Sequence, residues 1–146
     1  MYNYVNETWQ RMWKEKAKGI KERAISWRKG PTIVRVERPS RIDKARRLGY
    51  KAKQGVVVVR VRVGRGGMRK SRPKAGRRPK HLGTVKIKAN VSAREVAERR
   101  ASEKYPNLKV LNSYFVYKDG KYAWYEVILL DLSHPVIAGE FRHLRT

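Results

Sequence analysis

Residues 108–131 read LKVLNSYFVYKDGKYAWYEVILLD. Val, Ile, Tyr, Phe and Trp crowd both halves of this stretch, the composition of a pleated, half-buried surface. Lys118-Asp119-Gly120-Lys121 interrupts it at the centre. An Asp-Gly pair between two such halves suits a two-residue type I′ turn, so a hairpin is expected. That register sets Phe115 opposite Trp124, Tyr117 opposite Tyr122, and Tyr114 opposite Tyr125. Side chains alternate along a strand, so large apolar groups fall on both faces of the hairpin. Both faces therefore need a cover, from helices or from a bound partner.

Immediately before the hairpin, residues 92–105 read as a helix. Ser92 and Glu95 make a capping box, and Pro106 follows the end. Ala93, Val96, Ala97, Ala101 and Tyr105 form its apolar stripe, with Glu95 and Arg99 one turn apart on the solvated side. Residues 55–63, GVVVVRVRV, read as a strand. Val57, Val59, Val61 and Val63 point one way, and Val56, Val58, Arg60 and Arg62 the other. The second face turns cationic partway along, and is expected to leave the core there and meet a partner. Ser40 with Asp43 three residues on is an N-cap signature for a short helix ending near Leu48 and Gly49. Residues 32–36, TIVRV, read as a short strand. Residues 2–29 read as one helix whose stripe is Trp9, Trp13, Ile20, Ala24 and Trp27, closed by Gly30-Pro31. The tryptophans are expected mainly in the core, with base stacking open to any left exposed. Helices and strands interleave, which predicts an α+β domain over residues 1–146, with helices packed on a small mixed, largely antiparallel sheet.

Charge divides the chain differently. Lys and Arg total 37 against 12 Asp and Glu, a net +25. No acid lies in residues 44–94, and those 51 residues hold 18 of the bases, which leaves 19 bases against 12 acids in the other 95 residues. A solvated basic face usually mixes in acids, so this pattern points to a polyanionic partner. Residues 64–83, GRGGMRKSRPKAGRRPKHLG, offer almost nothing apolar to bury. Ordering costs roughly 1–2 kcal/mol per residue of backbone, so this basic arm is expected to order on a ligand. With hydrophobic residues at 40%, the chain is no wholly disordered polycation.

Other chemistry fits poorly. The sequence has no cysteine, hence no disulfide, thiolate metal site or cysteine nucleophile. No apolar run is long enough for a membrane span, and the start lacks a signal peptide's pattern, so a cytoplasmic protein is expected. Asp131 and His134 are weakly spaced for a metal and better suited to a turn stiffened by Pro135. Glu126 and Asp131 have opposite strand parity and cannot pair for acid–base work without a bulge. GYKAKQG at 49–55 lacks the Lys-Ser/Thr of a phosphate-binding loop. No catalytic site, metal, cofactor or small-molecule substrate is expected. Tyr50, among Arg47, Lys51 and Lys53, suits stacking on exposed bases, and Gly64-Arg65-Gly66-Gly67 resembles an RGG element.

The stretch RPSRIDKARRLGYKAKQG at 38–55 closely resembles a segment of the fifteen-e family of archaeal and eukaryotic large-subunit ribosomal proteins. The Val-rich strand with arginine and paired glycine at 56–67 is similar to the same family, as is VLNSYFVYKDGKYAWYEVILLDLSHPVI at 110–137. With the Trp-bearing N-terminal helix, the resemblance covers most of residues 1–137. It implies a small α/β/α core with long extensions threaded through large-subunit rRNA, beside neighbouring ribosomal proteins. The family's basic motif maps onto Arg38, Arg41, Lys44, Arg46, Arg47, Tyr50, Lys51, Lys53 and Gln54. In the arm, Arg65, Arg69, Lys70, Arg72, Lys74, Arg77, Arg78 and Lys80 follow the family in basicity more than in identity. Arg60 and Arg62 on the strand, and Lys86 and Lys88 in the same acid-free window, complete the expected RNA-binding set. Family members continue past HPVI with a further basic, Gly-rich tail, whereas this sequence stops at Thr146, as a shortened version or a truncated chain.

The resulting expectation is a structural rRNA-binding component of the large ribosomal subunit, with no activity of its own. If half of the 18 bases met phosphate, log affinity would fall against log salt with a slope of about −6 to −8. Three rivals share the charge: a chromatin-like DNA binder, an RNA-processing enzyme, and a loosely held ribosome-associated factor.

Overall fold

The computed structural model describes residues 2–15, 17–67, 70–84 and 90–139. Helices α1 (Tyr2–Lys14) and α2 (Lys18–Lys29) lead into strand β1 (Ile33–Val36). Helix α3 (Ile42–Arg47) precedes strand β2 (Val56–Gly64), and a single 3-10 turn lies at Pro79–His81. Helix α4 (Ala93–Lys104), the hairpin β3 (Lys109–Lys118) and β4 (Tyr122–Leu130), and the short helix α5 (Pro135–Ala138) complete the order. The strands form one sheet in the order β1-β2-β4-β3. Each pairing among the described residues is antiparallel, in keeping with the largely antiparallel sheet expected.

Helices cover both faces, as the hairpin composition requires. On one face α4 lays Ala97 and Ala101 against Val59, Val61, Val63, Val127 and Leu129. The two alanines let the helix approach the valines closely. Ser92 caps α4, accepting from the Glu95 N–H at 3.1 Å. On the other face Trp9, Ala45, Tyr114, Val116 and Ile128 pack together, flanked by Met12, Trp27 and Leu48. Strand β4 runs between the two layers, so Val127, Ile128, Leu129 and Leu130 are all fully buried. The tryptophans are core residues or lie against it. Trp124 is buried, Trp27 lies on it at 6.0 Å between ring centroids, and Trp13 meets Tyr117 edge-on at 4.8 Å.

Four local expectations are corrected. The N-terminal helix breaks in two, with Ala17 extended at φ −47°, ψ 140°. A straight helix over 28 residues would span roughly 42 Å. Strands of nine and ten residues reach only about 30 Å. The break lets the two helices pack separately, Trp9 in the Ala45 cluster and Trp27 on Trp124. Helix α3 starts at Ile42 without a side-chain cap, because Ser40 is engaged by Glu126 instead. Strand β2 does not leave the core at Arg60. It pairs with β4 as far as Gly64, and the Trp27 ring covers Arg60.

The hairpin register is shifted. Phe115 faces Tyr125, Tyr117 faces Trp124, and Tyr114 faces Glu126, with a bulge between Phe115 and Tyr117. Asp119 is the reason. Its N–H donates to the Tyr122 carbonyl, and its Oδ1 accepts from the N–H groups of Lys121 and Tyr122 at 2.8 and 2.6 Å. Asp119 thus opens the turn rather than sitting at its centre, the Asx arrangement that Asp favours. Gly120 is not among the glycines with positive φ, so the turn is not type I′.

Candidate nucleic-acid interface

The basic motif is held by buried polar contacts. Glu126 is fully buried on β4, and its carboxylate accepts from Ser40 N–H at 2.9 Å, Ser40 Oγ at 2.5 Å and Tyr114 OH at 2.5 Å. A carboxylate at such a place requires donors, and these three supply them. Burial and the adjacent Glu126 charge push the Tyr114 phenol well above its usual range. Two residues after Ser40, helix α3 begins. It ends in a Schellman motif: Gly49 N–H donates to the Arg46 carbonyl and Tyr50 N–H to that of Ala45. Gly49 takes φ +93°, and a side chain there would press on Leu111.

Arg41 turns inward. It is 8% exposed, donates to Asp43 at 2.9 Å and Asn6 at 2.8 Å, and lies over the Trp9 ring. Its guanidinium ties α1 to α3 and is spent on the fold, so direct phosphate contact does not suit it. Lys44, Arg46 and Arg47 point outward. Arg46 rests on Tyr2, both on the ring and at the hydroxyl. Tyr50 is half-buried against the Ala45 cluster, which leaves part of its ring for stacking. Arg38, Lys51, Lys53 and Gln54 are exposed.

The remaining cations lie elsewhere. Arg60 is half-buried, with the Trp27 ring 4.3 Å away and Glu126 opposite in register. Desolvation lowers its pKa, and the Glu126 charge partly offsets this. Arg62 lies over Tyr122 and donates to the Arg28 carbonyl. Arg65 is bound to the hairpin turn through the Lys121 and Asp119 carbonyls. Beyond it Lys70, Arg72, Lys74, Arg77, Arg78 and Lys80 are all exposed. Arg69, Lys86 and Lys88 lie outside the described residues. The fold therefore does not gather these cations at one point. The α3 cations stand beside Phe115 and Tyr125, whereas Arg65 and the arm start at the hairpin turn.

Two residues escape a reading from sequence. Arg94, the last base of the acid-free window, is fixed by Glu98 at 3.1 Å and Ser113 at 2.9 Å and stands across the sheet edge from α3. Glu126 organises the motif from the core, and the signal for it was a single carboxylate inside YEVILL, a strand too apolar to leave it unpaired. Asp131 and His134 form a turn: they accept from the Ser133 and Val136 N–H groups. Among the described residues no three His, Asp or Glu side chains group as a metal site requires. None of their helices is long and apolar enough to cross a membrane.

A two-sided α/β core carrying outward cations on a fixed helix and a basic arm is the build of a structural protein of a nucleic-acid particle. The chain belongs to the ribosomal L15e family: the family model described as Ribosomal L15 matches residues 1–143. It is therefore a structural component of the large ribosomal subunit rather than an enzyme, and its partners are rRNA and ribosomal proteins.

Proposed function

We propose that the chain stabilises large-subunit rRNA through its acid-free segment, residues 44–94. Lys44, Arg46, Arg47 and the cations of the arm carry the contact. The observation behind this reading is a division of labour within the basic motif. Arg41 is buried and neutralised by Asp43, whereas Lys44 and Arg47, on the next turn, are exposed. Guanidinium forks and ammonium groups so placed suit phosphate oxygens. The arm adds further cations without competing acids, which suits places where RNA helices pack closely.

Arg46→Glu with Arg47→Glu tests it. The pair lies on the surface, so the variant is expected to melt close to the wild type while its share in assembled large subunits falls sharply. Normal incorporation of that folded variant contradicts the reading. Equal affinity of the wild type for duplex DNA and for rRNA would favour the chromatin-like alternative.

A further inference from the structure

A cleft of about 390 Å³ opens at the free edge of the sheet, beside β3. Lys44 and Arg47 line it from α3, Arg94 from α4, and Phe115 and Tyr125 give it an aromatic wall. Arg94 is held in place by Glu98, Ser113 and Asn112. Lys44 and Arg47 are exposed and form no side-chain hydrogen bond with other described residues. The Ser113 N–H donates to the Asn112 side chain at 2.9 Å rather than to β4, so it points out of the sheet. By the alternation of an antiparallel ladder, the Phe115 N–H and C=O point the same way, into the edge.

An aromatic wall, a main-chain donor and acceptor, and two uncommitted cations are what an unpaired nucleotide requires. We infer that this cleft takes one unstacked RNA nucleotide, its base against Phe115, its edge on the β3 main chain and its phosphate on Lys44 and Arg47. The inference rests on the rRNA-binding reading above and makes it more specific: the core recognises a bulged base, where the arm meets only phosphate. An added peptide strand suits this edge less well. The bulges at Val110/Asn112 and Phe115/Tyr117 break its ladder, and Asn112 already caps Ser113.

The test measures binding of the full chain to two RNA hairpins of equal length, one with a fully paired stem and one with a single unpaired adenosine. The wild type is expected to prefer the bulged hairpin about tenfold, the scale of one base–aromatic stack. Phe115→Leu keeps an apolar group against Trp13 and Tyr125, and is expected to abolish the preference while leaving affinity for the paired hairpin unchanged. Lys44→Gln with Arg47→Gln, a surface change, is expected to bring the ratio of affinities near one, and decides the matter should Phe115→Leu fail to fold. Equal binding of both hairpins by the wild type, or a preference that survives in the folded variants, overturns the inference and leaves the rRNA reading standing. Failure of the wild type to bind either hairpin overturns both. Displacement of the bulged hairpin by a hexaglutamate peptide but not by adenosine 5′-monophosphate assigns the cleft to an acidic peptide and overturns the inference as well.

Discussion

Ser40 donates its main-chain N–H and its hydroxyl to the two oxygens of one carboxylate, Glu126, which lies 86 residues further along the chain. The loop that leads into the basic helix is thereby pinned to the central strand of the sheet. Tyr114 supplies a third donor from the neighbouring strand. The position of the surface cations on α3 is thus set by a buried polar contact on the far side of that helix.

Removal of that carboxylate is expected to be costly. Glu126→Ala leaves the Ser40 and Tyr114 donors without an acceptor, for a loss of about 3–5 kcal/mol. Glu126→Gln keeps one acceptor oxygen and is expected to lose less. Urea denaturation of the two variants checks the order, and equal stability of Glu126→Ala and the wild type would contradict it.

Tyr114 makes stability depend on alkaline pH. Its folded pKa is raised above the unfolded value of about 10, so the folded protein keeps a proton that the unfolded chain releases. The contribution is therefore complete below pH 10 and is lost as pH climbs towards the folded pKa. Above pH 10 the unfolding free energy is expected to fall by about 1.4 kcal/mol per pH unit from this group. Tyr114→Phe is expected to be less stable at neutral pH and to lose that part of the slope, which denaturation at pH 8 to 11 measures.

Gly55 holds the start of β2 against the C-terminal turn. Its φ is +84°, and a Cβ there would lie 2.6 Å from Ile137 Cγ1 and 3.1 Å from His134 Cβ. Gly55→Ala combines left-handed strain with overpacking, and a loss of roughly 2–4 kcal/mol is expected. Gly64→Ala, which meets nothing within 4 Å, is the control. Thermal melting is expected to separate the two by several degrees.

Arg41 and Arg47 are six positions apart in one basic motif and are expected to fail differently. Arg41→Ala leaves the Asp43 carboxylate buried and unpaired, so its main effect is a stability loss of about 3–5 kcal/mol. Arg47→Ala is expected to leave the melting temperature nearly unchanged and to weaken RNA affinity. Measurement of both quantities on both variants checks the split, and the reverse pattern would contradict the assignment of Arg41 to the fold.

Much of the architecture was legible because it is written locally. The capping box at Ser92, the alternation of valines along β2 and the two-faced hairpin each depend on residues within a few positions of one another. The errors have long-range causes. The break in the helix over 2–29 serves contacts far along the chain, Trp9 with the Ala45 cluster and Trp27 with Trp124. Ser40 abandons its capping role because Glu126 competes for it. The hairpin register moved, by two residues at Tyr117 and by one beyond the bulge at Phe115, because Asp119 uses its side chain as an acceptor, which the Asp-Gly pair alone does not reveal. The site follows the same rule. Charge alone marks out residues 44–94, but the inward turn of Arg41 depends on Asn6 and Trp9, and the cleft at Phe115 exists only once α3 and α4 meet the edge of β3.

The most direct measurement is photo-cross-linking of protein to rRNA in intact large subunits, with the attached peptides identified by mass spectrometry. The account predicts cross-links concentrated in residues 44–94, with Lys44, Arg47 and the arm among them, and few on the outer face of α4. Cross-links confined to α4 and α5, with residues 44–94 unmodified, would contradict it.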